Sequence, residues 1–218
     1  MRGRGRPYLS KQAPGDEASQ RWLGLGSGFR LASELFHQVS GVMIDLLGNP
    51  TFLADFEALE KVGLNPSRHT APNAKAHSLA VVNRVEELAA LNGCSVEERS
   101  ILRGLGYAHD IGKILGGARP EKSVEVLGRY GVDSPSFAEL VRFHDINLPW
   151  FNAFLRGEPP SDKAWRRLAD RVDLRLLCLF MIADRVDAPG GWTANQPLVW
   201  FLGEVRRRLL VTGEIVAE

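Results

Sequence analysis

The chain has 218 residues, 44% of them apolar and 24% charged, with a formal net charge of +1. That is enough apolar material for one sizeable core, and the charge is too balanced to steer the molecule globally toward nucleic acid or an anionic membrane. Cys94 and Cys178 are too few for a disulfide framework, and no apolar run has the length of a signal-peptide core or a bilayer span, so a cytoplasmic protein in a reducing compartment is expected.

Residues 1–20 alternate arginine with glycine and carry little apolar content, which predicts a mobile basic tail. From Arg30, the positions Leu31, Leu35, Val39, Val42 and Leu46 recur three or four apart and form one apolar helical stripe. That helix belongs to an N-terminal helical extension over residues 21–67, and His37 on it is read as structural. Gly48-Asn49-Pro50 ends it and starts another, with Pro50 in the first turn and Gly63 as the C-cap. A loop follows, carrying Arg68 and His69.

A helix over residues 73–92, stopped by Gly93, puts His77 in its first turn. Ser95 and Glu98 read as a capping box opening a helix through Leu102, Leu105 and Ala108, and Gly116-Gly117 marks a loop. Pro120 starts a short helix ending near Gly131. Ser136 and Glu139 read as a second capping box, which sets His144 two turns into its helix. Residues 148–160, with Trp150, Phe151 and Phe154, read as irregular; Ser161 then opens a helix bearing Lys163, Arg166 and Arg167. Asp173 caps a run over residues 174–186 that is apolar on nearly every face and is therefore buried, with Asp184 near its end. A last helix, near residues 197–211, packs through Leu198, Phe201, Leu202, Val205 and Leu209. No period-two strand pattern of useful length occurs, so the fold is expected to be all-α.

The chemistry concentrates in Gly106-Tyr107-Ala108-His109-Asp110-Ile111-Gly112-Lys113, where an imidazole and a carboxylate end an apolar helical run. Neutral imidazole and ionised carboxylate are ordinary ligands for a divalent cation. One histidine on a helix is ordinarily a packing residue, and one aspartate before a loop is ordinarily a cap. The ordered set His77, His109-Asp110, His144-Asp145 and Asp184 is harder to explain that way. Asp184 carries the strongest constraint of the distant members, because a buried carboxylate must be paired or coordinate a cation.

The order histidine, His-Asp, distant aspartate resembles the HD superfamily of metal-dependent phosphohydrolases over about residues 68–187, with His109-Asp110-Ile111-Gly112-Lys113 its most specific feature. The flanks, through Arg30, Glu34, the Ala76-His77-Ser78-Leu79 entry and Ala183-Asp184-Arg185, are more weakly similar to the helical half of bacterial tRNA nucleotidyltransferases. The resemblance implies an HD-domain helical bundle over residues 68–190, with the N-terminal extension before it and a packing helix in residues 191–218. It implies His77, His109, Asp110 and Asp184 as ligands of a divalent ion, with Mn, Fe, Co, Ni, Zn and Mg all compatible. Catalytic roles fall to Asp110, Lys113 and His144, with Lys113 and Arg185 as substrate-phosphate contacts and Asp145 a weaker candidate. The implied activity is hydrolysis of a phosphomonoester or phosphodiester in a nucleotide or another small phosphate ester, and the chain departs from the family in having no histidine between His109 and His144. The competing reading is a catalytically silent HD fold that binds RNA or a protein through the basic tail and the residues from Arg166 to Arg175. Neither reading needs a membrane, and both leave a homo-oligomer open.

Overall fold

A computed structural model describes residues 46–217. The tail, the Leu31-to-Val42 stripe, Arg30, Glu34 and His37 lie outside the described residues. Among those described, nine α-helices are joined by short turns, and the only extended pairing is an isolated bridge between Gly63 and Asn73. The all-α expectation holds.

The hub is α8 (Leu174–Ala183), capped by the Asp173 carboxylate accepting the Leu176 amide at 3.0 Å. Leu174 and every residue from Leu176 to Ala183 are buried, as a helix apolar on all sides requires. Against it lies α2 (Ala74–Leu91), which turns Val81, Val85 and Leu88 inward and begins at Asn73, whose side chain accepts the Ala76 amide at 2.8 Å. The end of α2 is a Schellman turn: Gly93 has φ 59°, and the Cys94 amide reaches the Ala89 carbonyl at 2.9 Å.

Next, α3 (Val96–Ala108) opens with the expected Ser95/Glu98 capping box and buries Leu102, Leu105 and Ala108. It packs so closely on α2 that a Cβ at Gly106 would lie 2.7 Å from Val82 Cγ2. A 3₁₀ turn over Ile111–Leu115 leads to α4 (Pro120–Arg129), and the backbone of Lys122 and Ser123 passes directly over Gly112.

Four local expectations are corrected. The helix α1 (Pro50–Ala58) runs on as a 3₁₀ turn through Lys61, so Gly63 is no C-cap and pairs instead with Asn73. The cap of α5 (Pro135–Phe143) is Ser134 and not Ser136, because Pro135 has no amide to lose and suits the first helical position. Residues 147–155 form α6 (Asn147–Leu155): Pro149 falls in the first turn, where its missing N–H costs no helical bond, and Trp150 packs against Trp165 at 4.5 Å between ring centroids. After α7 (Asp162–Ala169), α9 (Gln196–Arg207) ends before Val211, with Leu209 in the left-handed region at φ 53°.

Candidate metal centre

Helix ends converge on one spot. His77 lies in the first turn of α2, while His109, His144 and Asp184 are the C-cap residues of α3, α5 and α8, with Asp110 directly after His109. Three helix C-termini, each with a partial negative charge, meet the N-terminal turn of α2 there, and the carboxylates that collect among them favour a cation.

His77 Nε2 and His109 Nε2 are 3.3 Å apart. Asp184 Oδ1 lies 3.1 Å from the former and 3.3 Å from the latter, while Asp110 Oδ2 is 3.3 Å from His109 Nε2 and 3.9 Å from His77 Nε2. Ligand atoms at about 2.1 Å from one ion are roughly 3.0 Å apart in an octahedral arrangement and 3.4 Å in a tetrahedral one. The nitrogen pair and the Asp184 oxygen match that spacing, and Asp110 approaches the pair on a further edge.

The far nitrogens fix the tautomers. His109 Nδ1 faces the Leu105 and Gly106 carbonyls at 3.2 Å each, and His77 Nδ1 faces Asp187 Oδ1 at 3.0 Å, so both Nδ1 atoms carry hydrogen. Two Nε2 lone pairs then point at each other in a buried place. Such an arrangement needs a cation or an extra proton between them. Burial works against charge on His109, yet the Asp110 and Asp184 carboxylates outweigh it and raise the imidazole to about 10; His77 is raised as well, against its burial, by Asp184 and Asp187. Burial likewise opposes ionisation of Asp110 and Asp184, but the imidazoles, with Lys113 beside the one and Arg185 beside the other, hold both carboxyls well below the usual range. Metal-free, the carboxylates favour protons on the imidazoles; a divalent ion held there would take the protons' place.

Around these residues, Lys113 Nζ meets Asp110 Oδ2 at 2.5 Å, and Arg185 spans Asp184 Oδ2 at 2.6 Å and Asp145 Oδ1 at 2.8 Å. Arg185 is thus already committed to two carboxylates, and Asp145 meets Arg185 rather than the imidazole pair. His144 hydrogen-bonds the Val141 carbonyl through Nδ1 at 2.7 Å, which leaves Nε2 available on a ring stacked edge-on to His109 at 5.3 Å. His69, His77, His109, Asp110, Lys113, His144, Asp184 and Arg185 all line one cavity of about 410 Å³, within the range of small-molecule sites.

Asp187 was missed from sequence. Its Oδ1 takes His77 Nδ1 at 3.0 Å and His69 Nδ1 at 3.2 Å, its backbone carbonyl takes the Thr70 amide at 2.8 Å, and it holds His77 as a carboxylate holds a metal-bound imidazole. The only sequence signal is its place three residues beyond Asp184, in the turn that follows α8. A second group of donor atoms, from His69, His77 and Asp187, shares the His77 ring.

A family model, HD domain, matches residues 75–188, just over half of the chain. The chain belongs to the HD domain family. No curated protein and no solved structure matches it. The HD domain superfamily is one of metal-dependent phosphohydrolases, and the matched span holds His77, His109, Asp110, Asp184 and Asp187, with His69 just before it. No helix among the described residues is long and apolar enough to cross a membrane.

Proposed function

We propose that this HD domain is a metal-dependent phosphohydrolase that cleaves a phosphomonoester or phosphodiester bond in a nucleotide or other small phosphate ester. The observation that carries the reading is the pair of buried Nε2 atoms 3.3 Å apart, each with its other nitrogen spent on a hydrogen bond and both beside carboxylate oxygens. His77, His109, Asp110 and Asp184 would hold the ion. When bound, a divalent ion supplies positive charge beside the phosphoryl oxygens and makes water acidic enough to attack near neutral pH.

The chain's own groups do the rest. Asp110, kept ionised well below the usual carboxylate range, suits the role of ligand better than that of proton acceptor, so proton transfer falls to Nε2 of His144. Lys113 at the cavity wall gives a compact positive charge for a phosphoryl oxygen. Arg185 orients Asp184 and Asp145 and keeps an unpartnered Nε beside them.

The test is elemental analysis of wild type and Asp110→Ala, followed by a panel of phosphomonoesters and phosphodiesters assayed with the metal found. Near-stoichiometric metal in wild type, lost in the variant, with metal-dependent turnover, is the expected result. Failure of wild type to retain or take up metal overturns the reading.

A further inference from the structure

Two polar groups on the wall of the cavity lack partners. The Asn147 side chain is 1% exposed, and neither Oδ1 nor Nδ2 makes a hydrogen bond; the buried Nε of Arg185 is in the same condition. Buried amides are nearly always paired, because giving up water without a replacement partner is unfavourable. Asn147 is the first residue of α6, three beyond His144, and lines the same cavity as Lys113 and Arg185.

We propose that Asn147 is a specificity residue that pairs with the edge of a nucleobase in the substrate. The proposal rests on the phosphohydrolase reading and names what lies beyond the phosphate. A side-chain amide offers one acceptor and two donor hydrogens in one plane, so its full complement is a flat edge with a donor beside an acceptor. Nucleobase edges have that form; asparagine pairs in this way with N6 and N7 of adenine. A phosphate offers acceptors alone and would leave Oδ1 unmet. Arg185 Nε, a donor with no acceptor of its own, suits the phosphate or sugar oxygens between the base and the ion.

The test is calorimetric binding of AMP, GMP, CMP, UMP and ribose 5-phosphate, each with Mn²⁺, to wild type and Asn147→Leu. In wild type at least one nucleotide is expected to bind about tenfold or more tightly than ribose 5-phosphate. In Asn147→Leu that nucleotide should fall to the level of ribose 5-phosphate, whose own binding stays unchanged. No gap in wild type, or a gap that survives in the variant, overturns the proposal and leaves the amide a structural group met by water. If Asn147→Leu does not fold, Asn147→Asp serves: it replaces the amide donors by an acceptor and should move the preference toward the paired donors of guanine, an unchanged preference counting against the assignment. Turnover is read separately. A base-dependent gap without hydrolysis of any ester strikes the phosphohydrolase reading and leaves the role of Asn147 standing.

Discussion

Asp187 Oδ1 lies 3.0 Å from His77 Nδ1, and this contact, made across 110 residues of chain, decides which nitrogen of His77 faces the carboxylate cluster. The same oxygen takes His69 at 3.2 Å, so one carboxylate orients the imidazole and ties the loop before α2 to the end of α8. Asp187→Asn keeps the shape but removes the charge that makes His77 a strong donor. Metal affinity, read by chelator competition, should fall about 10- to 100-fold with the helical circular dichroism unchanged. Unaltered affinity would make Asp187 a packing residue only.

Metal binding should depend on pH with a definite sign. In the metal-free protein His109 is raised from its ordinary 6.5 to about 10, so its charged pairing with Asp110 and Asp184 stabilises the fold fully below about 6.5 and is lost as pH rises through about 10. A metal takes only the neutral ring. Binding therefore expels a proton across this window, and affinity should climb by about one log unit per pH unit from His109 alone, more steeply where His77 also releases a proton. Calorimetry in buffers of different ionisation enthalpy counts the released protons. A flat profile would mean that His109 is not a ligand.

The side chains that meet at the centre were legible because their types, order and helical settings were. Asp184 could be singled out physically, since α8 is apolar on nearly every face and leaves the carboxylate at its end nowhere to be solvated. The partner of His77's second nitrogen was not legible: whether Asp187, Asp145 or a carbonyl fills that place depends on how α8 docks on α2, a tertiary fact without local signature. Nor was α6, because aromatic residues around a proline read as a loop until Trp165 and Phe201 are in place to receive Trp150. The cap of α5 turned on a choice between two serines flanking Pro135, which the proline itself decides.

Lys113 separates binding from chemistry. Its ammonium neutralises Asp110 Oδ2 at 2.5 Å and lines the cavity, so Lys113→Met removes a positive charge from the cavity wall and leaves the four proposed metal ligands in place. Metal content should be retained, while kcat for a phosphate ester falls about 10²- to 10³-fold. Loss of metal together with activity would instead place Lys113 in support of Asp110.

Gly112 shows how packing sets the site. A Cβ there would lie 2.3 Å from the Ser123 amide nitrogen and 2.4 Å from the Lys122 carbonyl carbon, both backbone atoms that yield only if α4 shifts. The Gly112 amide also donates to Ser123 Oγ at 3.0 Å, fixing the turn that follows Asp110. Gly112→Ala should cost about 2 kcal/mol by overpacking and lower Tm by about 4–8 °C. Because the strain falls two residues from Asp110, metal affinity should drop with it. Gly128→Ala is the control: it lies within α4, is exposed and has nothing within 4 Å of its added Cβ, so the gain in helix propensity, up to about 1 kcal/mol, should raise Tm with metal affinity unchanged. Equal behaviour of the two variants in differential scanning calorimetry would show that α4 does not clamp the turn.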